Sequence, residues 1–124
     1  MDMNEERYLV FVYGTLMKGE GNHHYLGDAE FKGEYKTDKR WGLINIGAFP
    51  ALVPHVLAVE GEVYEVSKST LSTLDRLEGV SHGLYRRMQI SVHNGREELA
   101  VETYLWDSVP NRDEPKFPSW RALE

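Results

Sequence analysis

Only one stretch of this chain has the pattern of a long α-helix, and it lies among segments that read as strands. It opens at Ser67, whose hydroxyl can accept from an open backbone amide in a first helical turn. Val66 before it and Leu71 after it have the spacing of a hydrophobic staple. Leu71, Leu74 and Leu77 then share one face, and Gly79 stands where a left-handed residue closes a helix. The predicted helix is Lys68–Glu78. A single such helix excludes a doubly wound parallel sheet, because every parallel crossover needs a helix of its own. The fold class expected is α+β.

The strands follow from shorter patterns. Tyr8–Tyr13 is a continuous apolar run, which predicts a strand buried on both faces. Gly14 ends it, and Gly19 and Gly21 mark a loop over Thr15–Asn22. Asn22 is placed to cap a short helix over His23–Leu26. Strand-like pieces follow at Glu30–Thr37 and Trp41–Ile46. Phe49–Pro54 carries Pro50 and Pro54, which suits a bulged or edge segment rather than a central strand. Val56–Val66 is the longest strand candidate, with Val59 and Val63 on one face and Tyr64 and Val66 on the other. Tyr85–His93 alternates, Asn94-Gly95 predicts a type I′ hairpin turn, and Leu99–Trp106 returns. The tail after Pro110 is polar, and Trp120 is expected to dock on the body. No repeat or linker interrupts the pattern, so residues 1–124 are expected to form one domain.

Charge and residue usage exclude several functions. Asp and Glu outnumber Lys and Arg by 20 to 14, and the basic residues are scattered. Nucleic acid and anionic membrane surfaces both attract clustered cations, so neither is an expected partner. Met1–Arg7 is too polar for a signal peptide, and no apolar run approaches the ~20 residues of a membrane span. Cysteine is absent, which removes disulfides, thiolate zinc sites and cysteine nucleophiles. A cytoplasmic location fits this usage. The five histidines show no metal-ligand spacing. No Gly-x-Ser-x-Gly elbow occurs, and Lys18, Gly19 and Gly21 lack the core of a phosphate loop.

Three places remain that could carry chemistry. Glu78 stands at the predicted helix end, where the final carbonyls carry partial negative charge. Repulsion there raises a carboxyl pKa, and desolvation would raise it further. A carboxyl pushed toward neutrality can take and return a proton near pH 7. Taken alone, such a residue is more often a solvated glutamate at a frayed end. Tyr13-Gly14-Thr15-Leu16 directly follows a buried strand, and Gly14 would let a ligand approach the backbone. Consecutive amides there can form a nest for a carboxylate or an oxyanion, although a plain turn is the commoner meaning. Tyr85 opens the strand after Glu78 and is either packing material or a phenol aimed at Glu78 or at a ligand carboxylate.

Four segments in this order resemble a known family. They are Val10-Phe-Val-Tyr-Gly-Thr-Leu16 with Lys18-Gly19, Asn22-His23 and Leu26; Val59-Glu-Gly-Glu-Val-Tyr64; Leu74-Asp-Arg-Leu-Glu-Gly79; and Tyr85-Arg86-Arg87. Together they resemble the γ-glutamyl cyclotransferase-like superfamily, in its compact γ-glutamylamine cyclotransferase and AIG2-like branch. The resemblance implies a small, mixed, barrel-like sheet with one main helix and short flanking helices. It implies that Glu78 is catalytic and that Tyr13, Gly14, Thr15 and Leu16 line the substrate pocket, with Tyr85 and Asn22 as further substrate-binding candidates. The implied reaction needs neither metal nor cofactor. The α-amine of a small γ-glutamyl substrate attacks its own γ-carbonyl, giving 5-oxoproline and a free amine or amino acid. The alternatives are a binding module that keeps the pocket without catalysis, and a structural protein with the site unused. The leaving amine carries no motif of its own.

Overall fold

The computed structural model describes residues 6–27, 29–107 and 114–123. In chain order its strands are β1 (Arg7–Val12), β2 (Glu30–Thr37), β3 (Trp41–Asn45), β4 (Pro50–Pro54), β5 (Glu60–Ser67), β6 (Tyr85–His93) and β7 (Glu98–Trp106). The one long helix, α1 (Lys68–Leu77), lies between β5 and β6, and 3₁₀ turns occupy His23–Leu26, Val80–His82 and Arg121–Leu123. All seven strands join one sheet in the order β1-β5-β2-β6-β7-β4-β3. A parallel contact between Val10 and Glu102 brings β1 against β7 and closes five of the strands into a ring. The β3–β4 hairpin attaches to this ring through Leu52 and Leu105. The α+β class and the barrel-like mixed sheet are therefore as expected.

Alternation along β5 explains why the barrel has two apolar layers. Val59 and Val63 pack with Phe11, Leu43 and Leu52, whereas Tyr64 and Val66 pack with Val10, Val12, Leu71 and Leu74 of the helix side. Burial on both faces holds for Val10, Phe11 and Val12 of β1 but not for its start, where Arg7 is exposed opposite Ser67. Trp120 docks as expected, in contact with both layers.

Three local expectations are corrected. β4 is no edge strand, because it lies between β7 and β3 with Pro50 to Val53 buried. Its prolines stand at the two ends of the strand, so no interior ladder donor is lost. β5 does not extend back to Val56. The backbone of Leu57 instead exchanges hydrogen bonds with Trp41, and Val59 is tied to Thr37. The hairpin after β6 is a four-residue loop rather than a type I′ turn, since Asn94 lacks the positive φ that turn requires. Asn94 Oδ1 holds the loop by accepting from the amides of Arg96 and Glu97, each at 2.9 Å. Among the described residues, no helix is long and apolar enough to cross a membrane.

Candidate active site

The position of Glu78 is fixed by how α1 begins and ends. Ser67 Oγ accepts from the Thr70 amide at 3.2 Å, which caps the first turn. Leu71 and Leu74 anchor the inner face. At the far end the Glu78 amide donates to Leu74 O at 2.9 Å, and Gly79 follows with φ 65° and ψ 37°. That left-handed geometry favours glycine and turns the chain away from the helix axis. Glu78 is thus the capping residue, one position beyond the last helical residue.

A cavity of about 240 Å³ opens beside it, between the end of β1, the start of β4, the end of α1 and the start of β6. Tyr13, Gly14, Thr15, Leu16, Asn22, Glu78 and Tyr85 all line this one cavity. Among its described lining residues, Glu78 is the only Asp, Glu, Lys, Arg or His.

Burial raises the Glu78 carboxyl from its ordinary 4.5 to about 7. Charge repulsion from the helix end, to which the sequence pointed first, is not the cause. The carbonyls of Leu74 and Arg76 are occupied by the amides of Glu78 and Gly79, which leaves desolvation to set the shift. No described side chain donates a hydrogen bond to the carboxyl, so nothing nearby favours its ionised form.

Three tyrosines form the rigid wall around it. The Tyr13 hydroxyl donates to Tyr104 O at 2.6 Å, and the Tyr85 hydroxyl donates to Pro50 O at 2.8 Å. The Tyr104 hydroxyl donates to Asp75 Oδ1 at 2.7 Å. Burial pushes all three phenols up, helped at Tyr104 by its hydrogen bond to Asp75 and at Tyr13 and Tyr85 by the Glu78 charge, which keeps them neutral. The Tyr85 proton is therefore committed to a backbone carbonyl and does not orient Glu78. The ring of Tyr85 also meets Trp106 edge-on, at 5.3 Å between centroids.

The loop after β1 is held from behind. Thr15 O accepts from the Asn22 amide, and Asn22 Nδ2 donates to Thr15 Oγ1, both at 2.9 Å. Asn22 makes no side-chain cap to the turn that follows it, contrary to expectation. Leu16 O meets His23 Nδ1 at 2.9 Å, and the Lys18 amide donates to the buried Glu62 at 2.8 Å. The amides of Gly14, Thr15 and Leu16 donate to no acceptor among the described residues. Packing also requires glycine at position 14, because a Cβ there would lie 2.4 Å from Pro50 Cγ.

Several functional neighbours had no signal in the sequence. Tyr104 reads as an ordinary strand aromatic, yet it lines the cavity and receives the Tyr13 hydroxyl. Asp75, one turn before Glu78, also accepts from Arg87 Nε at 2.9 Å, and Arg87 Nη1 reaches Glu102 at 2.5 Å. This network fastens α1 to β6 and β7.

Fold and site together define a compact barrel protein with one desolvated carboxyl in the same cavity as a loop of open backbone amides. Residues 10–122 match the family described as γ-glutamyl cyclotransferase, AIG2-like, and the chain belongs to that family. A Vibrio cholerae protein, provisionally named a γ-glutamylcyclotransferase, is 47% identical over 105 residues, covering 83% of this chain and 90% of its own length. The γ-L-glutamyl-butirosin B γ-glutamyl cyclotransferase of Niallia circulans is 35% identical over 122 residues, covering 90% of this chain and 74% of that protein. The crystal structure of a mouse AIG2-like protein superposes with a TM-score of 0.79 at 28% identity, covering 92% of this chain and 88% of that one.

Proposed function

We propose that the chain is a γ-glutamyl cyclotransferase in which Glu78 moves the protons while a bound γ-glutamyl compound closes on itself. The observation that carries this reading is a carboxyl with a pKa of about 7 in the same cavity as the open amides of Gly14 to Leu16. The family, and the activity in the name of the Niallia circulans relative, support it.

The reaction begins with the substrate's α-ammonium. Ionised Glu78 removes one proton, and the freed amine attacks the γ-carbonyl. The carbonyl oxygen becomes an oxyanion, and the loop amides supply donors for it or for the α-carboxylate. Protonated Glu78 then gives that proton to the leaving nitrogen and takes the second surplus proton from the attacking nitrogen, returning it to the amine as the amine departs as its ammonium. The C–N bond breaks, and 5-oxoproline and the amine depart. A base with a pKa of about 7 suits both steps, since it neither holds the proton too tightly nor fails to take it. General acid–base help contributes about 10²–10⁴-fold. Most of the remaining acceleration comes from holding the folded-back conformer, where effective molarities reach roughly 10⁵ M or more.

The test is incubation with γ-glutamyl amines, γ-glutamyl amino acids and glutathione, measuring 5-oxoproline. Glu78→Gln keeps the shape and removes the titrating proton, and it is expected to abolish product. Binding of these compounds without turnover by the unaltered protein would replace catalysis with capture.

A further inference from the structure

We propose that Glu62 and Arg121 are positioning residues for the reaction, forming a clamp on Lys18 that fixes the directions of the loop amides at Thr15 and Leu16. The proposal rests on the cyclotransferase reading and adds to it two side chains that do not line the cavity.

Glu62 is a carboxylate only 5% exposed, and the mechanism above leaves it unused. Its Oε1 accepts from the Lys18 amide at 2.8 Å and from the Tyr64 hydroxyl at 3.0 Å. Its Oε2 lies 3.7 Å from Arg121 Nη1. The other two guanidinium nitrogens go to the same loop. Nη2 donates to Lys18 O, and Nε donates to Glu20 Oε2 at 3.5 Å. One ion pair therefore holds both backbone groups of Lys18, the carboxylate its amide and the guanidinium its carbonyl. A buried carboxylate that loses its cation is strongly disfavoured, so each half of the pair keeps the other in place. Arg121 is brought there by the chain before it. Leu43 and Phe117 exchange backbone hydrogen bonds, each at 2.8 Å, and the Glu60 amide donates to Pro118 O at 2.8 Å. Trp120 packs against both apolar layers.

The clamp reaches the reacting atoms through the peptide planes of the loop. The Met17 amide donates to Gly14 O at 3.0 Å, and the Asn22 amide donates to Thr15 O at 2.9 Å. A trans peptide turns its N–H opposite to its C=O, so these two carbonyls set the directions of the Thr15 and Leu16 amides. Met17, which holds the first of them, adjoins the clamped residue. The Asn22 side chain fastens the closing end of the loop at Thr15, and the clamp fastens its middle. Donors of this kind act only while they stay aimed at the developing charge, and a displacement on the order of 1 Å can cost about 100-fold in rate.

The experiment compares the unaltered protein with Arg121→Ala, Arg121→Lys, Glu62→Gln and the Glu62→Gln/Arg121→Ala double variant, using the fastest substrate of the γ-glutamyl panel above. The Arg121 side chain is 41% exposed, so its alanine variant is expected to fold, which urea denaturation checks before assay. In Arg121→Ala kcat/KM is expected to fall roughly 10–100-fold, with the apparent pKa of the pH profile unchanged because Glu78 is untouched. Arg121→Lys restores a cation and a donor and is expected to recover part of the loss. The double variant is expected to lose no more than about threefold beyond the worse single variant, since both act on one clamp. Hydrogen exchange at the Lys18 amide is expected to quicken at least about tenfold in Arg121→Ala, while the α1 amides keep their rates. Unchanged kcat/KM in folded Arg121→Ala, unchanged exchange at Lys18, or losses that multiply in the double variant would overturn the clamp while leaving the cyclotransferase intact. A loss accompanied by a lowered apparent pKa would also overturn it, because the cavity around Glu78 would then have opened to water. Failure of the unaltered protein to yield 5-oxoproline from any compound of the panel would overturn the cyclotransferase reading, and the clamp's part in catalysis with it.

Discussion

Replacing Glu78 by Gln should make the folded protein more stable, and only above a defined pH. In the folded chain the carboxyl sits at about 7 against an ordinary 4.5, so its ionised form is disfavoured there relative to the unfolded chain. The difference corresponds to about 3 kcal/mol, an upper figure because the side chain is partly solvated. For a raised pKa the sign is fixed. The neutral form's contribution to stability is complete below about pH 4.5 and is lost as the pH rises through about 7. Glutamine keeps the volume and carries no charge at any pH, so it does not suffer this loss. The relevant quantity is the difference in unfolding free energy between variant and parent, in which the other titrating groups cancel. That difference should grow by up to about 3 kcal/mol between pH 4 and pH 8.5, or on the order of 10 °C in Tm for a domain of this size. Urea denaturation at a series of pH values measures it directly. A difference that stays flat across the series would mean that Glu78 is an ordinary solvated carboxylate, and the proposed proton shuttle would lose its physical basis.

The same carboxyl predicts that kcat/KM for 5-oxoproline formation falls below an apparent pKa of about 7, because protonated Glu78 cannot accept the α-ammonium proton; a pH–rate profile checks this. Asp75→Asn weakens the charge-assisted bond to Arg87 and should destabilise the fold by about 1–3 kcal/mol, measured by urea denaturation. Gly14→Ala should cost about 1–3 kcal/mol through the clash with Pro50, and Pro50→Ala, which removes the clashing Cγ and Cδ, should recover part of that cost. A double-mutant cycle on this pair measures the coupling, and additivity within about 0.5 kcal/mol would contradict the contact.

What could be read from the sequence, and what could not, divides by the range of the interactions involved. The helix was legible because its signals are local. Ser67, the Val66–Leu71 staple and Gly79 lie within one short stretch, and they place Glu78 at its end to within one residue. The two faces of β5 were legible from alternation alone. The convergence of seven residues on one cavity was legible only through the family resemblance, since no local pattern relates the Gly14 loop to Glu78. The corrections to β4, β5 and Tyr85 turn on contacts distant in sequence, whereas the Asn94 loop and the Asn22 side chain differ through contacts within a few residues. β4 was misplaced because the pairing of Leu52 with Leu105 joins segments with no sequence relation. Tyr85 found Pro50 O for the same reason.

Pro50 shows how these distant pairings become a site. Its ring fills the space that a Cβ at position 14 would need, and its carbonyl takes the Tyr85 proton. Both contacts exist because β4 is held inside the sheet, between β7 and β3. An edge strand, as the prolines alone implied, would have left the loop amides without a backing wall. It would also have left the Tyr85 hydroxyl free to donate to Glu78, which would hold that carboxyl ionised at lower pH. The shift of Glu78 to about 7 is set by burial, and no neighbouring phenol offsets it because each donates elsewhere. A cavity that leaves the one acid among its described lining residues without a donor keeps it available for the proposed proton exchange.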